Sequence, residues 1–451
     1  MKAFVSRRQF AGSAGLLGLG AAAGLLQGMP AAWAQDYRAL IVIDLAGGND
    51  GHNVLIPTDA AYADYERART SVLALPKDSL IALDGVSAGH RFAVHPAMKH
   101  LARLYNEERL SFIGNVGALI EPATAEKVLN HQVRLPVGLL SHSDQAGFVQ
   151  GAFEDTSGWA GRALESLDAA LRHPSAAVAV GGNRTLVQGR FSPVSMALSR
   201  GNAWWGKSQL TNDNSYLTES LKRMARWQFT NDYERIYTDT LKRSIDDAVM
   251  FAKAVDKTKP PQADFGSGWF ADQLKFVAQV LPVMPSFGMK RQVFFLTHGG
   301  FDTHANQRGS GSGSPTQDEL LAQLDAALGG LDHSLRASRM DEQSLVLVMT
   351  EFGRTLRPGS GGGSEHAWGT HWILMGPKAI GKTVHGRFPD LIPGGPDDGD
   401  VDKNGRFVPD ISADQVGASL MQWMGLSQEQ FLSVFPNLKN FPKHTLPILR
   451  S

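Results

Sequence analysis

The segment LTHGGFDTHANQ, residues 296–307, sets His298, Asp302 and His304 where a hydrophobic run ends, in a chain with 14 histidines among 451 residues. Carboxylates and imidazoles converging from separate strand ends form the donor set of a divalent metal, because zinc and manganese accept both oxygen and nitrogen. Other segments repeat the pattern. GGNDGHN supplies Asn49, Asp50 and Asn53, MTEFGRT supplies Glu351, and EHAWGTH supplies His366 and His371. Each is ambiguous alone: an aspartate after Gly-Gly is commonly a turn or cap residue, and a single loop histidine a surface or hydrogen-bonding one. Their shared position after predicted strands is what points to a metal.

LLSHSDQ, residues 139–145, brings Ser141 and Ser143 around His142 and Asp144. A serine beside a metal is a candidate nucleophile; the same residues also read as a helix start with a serine N-cap. Arg354 is a candidate clamp for an anionic substrate, or a partner for a nearby carboxylate. Two further motifs fail their structural requirements. GPKAIGKT, from Gly376, has the phosphate-loop spacing, but VHGRFPDLIPGGP follows it, where Gly386, Pro389 and Pro393 preclude the required helix. DVDKNG, from Asp400, begins like a calcium loop, yet its twelfth position is Ile411 and Pro409 intrudes, so it reads as a polar turn.

The elements that must hold these residues alternate. RALIVIDLAGG (38–48) reads as a buried strand ending in two glycines, PAMKHLARLYNEERL (96–110) as an amphipathic helix and LSFIGNVG (110–117) as a second strand. GWAGRALESLDAALR then reads as helix and AAVAVGG as strand. A helical section over about 205–285 interrupts the order. Strand 291–297, helix 316–338 and strands 344–350 and 371–376 resume it. This is the habit of a mostly parallel sheet flanked by helices, an α/β fold with ligands at the carboxyl ends of its strands.

Equal numbers of basic and acidic residues, 44 each, exclude the basic stripe of a nucleic-acid binder. Residues 1–34 are set aside: paired Arg7 and Arg8, a mild Gly/Ala-rich run and the Ala32-Trp33-Ala34 cleavage pattern resemble a twin-arginine export signal. Residues 35–451 are then expected to form a single domain that carries the helical section as an insertion, with no membrane span once the signal is removed. The absence of cysteine agrees with an oxidising compartment without disulfides.

LAGGNDGHNVLIP, FAVHPAM, LLSHSDQ, SGWAGR, GGFDTH, MTEFGRT and EHAWGTHW, in that order, together resemble domain-of-unknown-function family 1501, a family of twin-arginine-exported proteins. That family is similar to the alkaline phosphatase and sulfatase superfamily. The resemblance implies an alkaline-phosphatase-like fold with one or two divalent ions, zinc or manganese foremost. Asp50 resembles the superfamily's first-strand metal aspartate, and Asp302 with His304 its D-x-x-x-H ligands at shortened spacing. Glu351 stands for the aspartate of an Asp-His pair, with Phe352 in place of the histidine; His366 resembles the late histidine ligand. Ser141 is the nucleophile candidate by order and spacing. The expected activity is hydrolysis of phosphate or sulfate esters, on a small anionic or polysaccharide-type substrate, by a protein that is periplasmic or otherwise exported. The alternative is a non-catalytic envelope binding or assembly protein with a degenerate metal site.

Overall fold

The computed structural model describes residues 36–151, 156–192, 194–197, 216–310 and 313–450. The expected export signal of residues 1–34 lies outside them. Nine strands form the main sheet: β1 (Arg38–Ala46), β2 (Leu110–Gly117), β3 (Ala177–Val180), β4 (Ser195–Ala197), β5 (Arg291–Gly299), β6 (Ser344–Met349), β7 (Thr370–Met375), β8 (Val384–His385) and β9 (Ile411–Ser412). The order is β8-β2-β7-β6-β1-β5-β3-β4, with β9 also on β2. Only β7 runs against its neighbours, so the sheet is mostly parallel as expected.

β1 occupies the centre, and its sequence explains why. RALIVIDLA is apolar almost without a break, and every residue from Ala39 to Leu45 is buried, the signature of a strand covered on both faces. It pairs in register with β5 and β6, Asp44 lying opposite Thr297 on one side and Met349 on the other. The chain therefore leaves β1, β5 and β6 at one common edge. The reversed strand β7 begins at that edge, which brings the segment before Thr370 to the same place.

Nine helices are used below: α1 (Tyr62–Leu73), α2 (Lys99–Asn106), α3 (His142–Val149), α4 (Trp159–Ser166), α5 (Tyr216–Met224), α6 (Asp232–Asp256), α7 (Trp269–Val280), α8 (Gln317–Ala337) and α9 (Ala413–Met424). α2, α7 and α8 pack together, with α2 on β2 and α7 on β5, while α4 and α9 pack on each other and reach β3 and β1. α8 starts at a reciprocal capping box of Thr316 and Glu319. α4 is shorter than its sequence pattern, ending at Ser166 where Leu167 turns to an extended ψ of 158°.

The helical section between β4 and β5 contains α5, α6 and α7. α5 and α6 share a small apolar cluster of their own around Ile245 and Ala248. Asp247 of α6 ties them to the sheet edge, accepting from Ser175 Oγ at 2.5 Å and Ser195 Oγ at 2.7 Å. α7 lies on the sheet itself, with Phe270 stacked on His298 at 4.2 Å. Among the described residues no helix is long and apolar enough to cross a membrane.

Candidate metal centre

The strand edge gathers His142, Asp302, His304 and His366. His142 comes from the first turn of α3, Asp302 and His304 from the loop after β5, and His366 from the segment entering β7. Asp302 Oδ1 is the hub: it lies 3.1 Å from His304 Nε2, 3.4 Å from His142 Nε2 and 3.5 Å from His366 Nε2. His304 Nε2 and His366 Nε2 are 2.9 Å apart. His142, Asp302 and His366 each offer a donor atom within 4.8 Å of the others.

The other ring nitrogens decide what the convergent ones carry. His366 Nδ1 faces the carbonyl of Leu140 at 2.8 Å and must hold a proton, since a carbonyl only accepts. His304 Nδ1 faces Glu365 Oε2 at 2.7 Å, and His142 Nδ1 faces Glu351 Oε1 at 2.8 Å. His304 Nε2 also lies 3.4 Å from Arg354 Nη1, which can only donate. In the tautomer that carries its proton on Nδ1, each ring of His304 and His366 points an Nε2 lone pair at the other, an arrangement that repels unless a cation or proton lies between them. Holding Nδ1 on a carboxylate or carbonyl is the usual way a metal-binding imidazole is oriented. The spacings fit as well. Ligands about 2.0–2.1 Å from a tetrahedral ion lie about 3.3 Å from one another, and Asp302 Oδ1 lies 3.4 and 3.5 Å from His142 Nε2 and His366 Nε2, the set whose donor atoms are all mutually close, with His304 Nε2 beside it at 3.1 Å. This donor set fits a divalent ion.

Local sequence explains the assembly. Gly47 and Gly48 follow β1 with φ of 118° and 73°, and a Cβ on Gly48 would meet the Phe352 ring at 2.3 Å. That turn sends the Gly47 N–H to Glu351 Oε1 at 2.8 Å. Burial raises the Glu351 carboxyl, but the His142 bond and the backbone N–H donors outweigh it and the net shift is downward. The His142 ring is shifted upward, chiefly by its bond to Glu351. Burial likewise raises Asp302, and Arg354 with His304 and His142 reverses the sign, keeping it ionised. His366 is lowered by burial first, against the Leu140 bond. The side chains of Asp302, His304, His142 and His366 keep 48%, 40%, 36% and 24% exposure, so solvent reaches the cluster.

Three expected roles are corrected. Asp50 is not a member of the cluster: it is buried with no side-chain exposure, paired with Arg69, and accepts from Gln307 Nε2 at 2.6 Å and the His52 N–H at 3.0 Å. The turn that follows β1 aims it toward α1, away from the strand-edge cluster. Glu351 is not a direct donor either, because both its oxygens are spent, Oε1 on His142 and Gly47 and Oε2 on Thr350. It orients His142. Arg354 is wholly buried and cannot clamp a substrate. Its donors go to the carbonyls of Gly48 at 2.8 Å and Ser364 at 2.9 Å, to that of Gly47, and to Asp302, so it ties the loops after β1, β5 and β6 together.

Asp302, His304 and His366 of the expected set are brought together. Ser141 sits beside them as the N-cap residue of α3, its Oγ 3.3 Å from Ser143 Oγ and without a capping bond of its own. His142 and Glu365 are residues that spacing did not single out for the metal. The signal for Glu365 was adjacency to His366, and for His142 its position between two serines. His298, His371 and His52 belong elsewhere; burial pushes His371 down to about 3 and the other two to about 4, so they are neutral core groups.

The family described as protein of unknown function (DUF1501) matches residues 37–401. The chain belongs to the DUF1501 family. No curated protein matches it. Solved structures similar to this DUF1501 chain include the C-terminal periplasmic domain of EcEptC from Escherichia coli in complex with Zn, at 10% identity and TM-score 0.34, covering 88% of this chain and 84% of that one. The lipoteichoic acid synthase LtaP from Listeria monocytogenes is similar at 8% identity and TM-score 0.33, covering 87% and 72%. The phosphonate monoester hydrolase SpPMH from Silicibacter pomeroyi is similar at 12% identity and TM-score 0.31, covering 87% and 74%.

Proposed function

We propose that this DUF1501 protein is an exported metal-dependent hydrolase of phosphate or sulfate esters, working with one zinc or manganese ion held by His142, His304, His366 and Asp302. The observation that carries the reading is the convergence of three imidazole Nε2 atoms on Asp302 Oδ1, with every Nδ1 already engaged. One ion is favoured over two because Asp50, expected as the first-strand metal aspartate, is paired with Arg69, Phe352 stands where the histidine of an Asp-His pair would be, and the Arg354 guanidinium already stands against Asp302.

When bound, such an ion supplies Lewis acidity toward the ester oxygen and lowers the pKa of the attacking hydroxyl or water. The chain's own groups do the rest. Glu351, Glu365 and the Leu140 carbonyl hold the three imidazoles in the tautomer that leaves Nε2 free. Ser141 stands at the rim as the nucleophile candidate, and the first-turn N–H groups of α3, which no side chain caps, face an anion favourably. With Arg354 committed internally, these groups and the ion are what remain to hold the substrate's charge.

A second reading is favoured by Asp302. If it serves as fourth donor beside three histidines, the tetrahedron is closed as in a structural site, and the protein binds metal without turnover. The test is a panel of phosphate monoesters, diesters and sulfate esters assayed with zinc and with manganese, comparing wild type with His366→Ala. Metal-dependent turnover lost in the variant supports the hydrolase. Metal binding with equal background rates in both proteins on every ester supports the envelope binding protein. Ser141→Ala then separates serine attack, where turnover disappears and metal stays, from water attack, where little changes. Export is tested by Arg7→Lys with Arg8→Lys, which should strand the precursor in the cytoplasm while the wild-type mature chain begins near Gln35.

A further inference from the structure

Leu140 is a half-buried leucine with a φ of 74°, in the left-handed region that non-glycine residues other than Asn and Asp seldom enter. It lies in a tight turn: Gly138 has a φ of 63°, and the Ser141 N–H donates to the Gly138 carbonyl at 2.8 Å. Two things follow in space. The Leu140 carbonyl accepts the His366 Nδ1 proton at 2.8 Å, and the next residue, Ser141, is the N-cap of α3, whose first residue is His142. The His142 and His366 rings then meet edge to face with centroids 4.3 Å apart. Their carriers are far apart in sequence, and this turn is where they are joined.

We propose that Leu140 is a positioning residue of the metal centre: its left-handed backbone sets two of the histidine donors at once, aiming the carbonyl that holds His366 and the helix start that holds His142. A strained conformation at such a point persists only where its surroundings over-determine it. Here the restraints are the His366 bond on one side and the Gly138–Ser141 turn on the other. Rotation of residue 140 to a negative φ swings its carbonyl off His366 and re-aims the first turn of α3, so both Nε2 atoms leave the shared centre together. The metal site therefore depends on the tolerance of position 140 for the left-handed conformation, and little on the leucine side chain.

This rests on the reading of the cluster as a metal site, and the experiment keeps the two apart. Zinc and manganese dissociation constants of the full mature chain are measured by competition with a chromophoric chelator, for wild type, Leu140→Asn, Leu140→Ala and Leu140→Val, with metal-free thermal unfolding alongside. Asn tolerates the left-handed region and should bind as tightly as wild type; Ala should stay within about threefold, and β-branched Val should weaken binding about 10–100-fold, as loss of an outer-shell partner does. The visible spectrum of the cobalt(II)-loaded protein should change in L140V and be restored in L140N. Wild-type protein that takes up no metal overturns the metal reading itself. Wild type that binds while L140V binds equally overturns the positioning role alone. Should L140V fail to fold, Asn and Ala decide: a loss of more than tenfold in both assigns the effect to side-chain packing and overturns the proposal.

Discussion

At the scale of single residues, the structure separates groups that share a chemical type. Asp50 and Asp302 are both aspartates just beyond a central strand, yet one is sealed against Arg69 and the other faces three imidazoles. Asp50→Ala strips a buried guanidinium of its partner and is expected to cost about 3–5 kcal/mol. Its metal affinity should stay near wild type, which denaturant unfolding and metal titration together would check. Glu351→Gln should do the reverse, weakening metal binding about 10–100-fold through His142 at a smaller cost in stability. Asp302, His304 and His366 were metal candidates in the sequence, and the fold brings these three together. His142 was passed over as a donor because its neighbours Ser141 and Ser143 offered a competing chemistry, and nothing in one-dimensional spacing shows where a ring points.

At the scale of elements, buried carboxylates tie helices to the sheet. Asp247 holds α6 through the hydroxyls of Ser175 and Ser195. Asp247→Ala should remove both bonds, cost about 2–4 kcal/mol at about 1–2 kcal/mol each, and raise amide exchange in α5 and α6 before the rest of the chain. Asp414, in the first turn of α9, is pushed up to about 7 by burial, with Arg162 opposing. The folded chain keeps a proton there that the unfolded chain releases near about pH 4. Stability is therefore expected to fall as pH rises from about 4 to about 7 and to level off above that. Asp414→Asn should flatten this slope and unfold at a higher temperature than wild type at about pH 8, as thermal melts across pH would show. The long elements were plain in the sequence because β1, β5, β6 and α8 carry unbroken apolar or 3.6-period patterns. The end of α4 was not, since its pattern runs on past Ser166 and only the turn at Leu167 stops it.

For the whole molecule, a ligand that binds only the folded state adds stability by mass action, about 2.7 kcal/mol at one hundred times its dissociation constant. Chelation should accordingly lower the unfolding temperature of metal-loaded protein, and His366→Ala or Asp302→Ala should remove most of the difference. Elemental analysis of protein kept from chelators should return one divalent ion per chain. Two ions would mean that Arg69 or Arg354 is displaced from its carboxylate on loading, and none would remove the basis of the hydrolase reading.

The sequence by itself determined the mostly parallel α/β order, because a strand buried on both faces needs a continuous apolar run and its crossover helices need an amphipathic one, and both patterns are local. It also marked the edge where the candidate residues lie, since β1 and β5 run into Gly-Gly turns followed by polar residues and β6 runs directly into Thr350 and Glu351. Tertiary structure alone decided which of those polar residues face a common centre and which are consumed in holding the loops. That choice depends on strand register, on the reversed entry into β7 that delivers His366, and on a left-handed turn at Leu140 that swings His142 toward it. The β1–β5 register and the Leu140–His366 bond each join residues more than two hundred positions apart in the chain, and the direction of a side chain across such a distance is fixed by packing that no local pattern encodes.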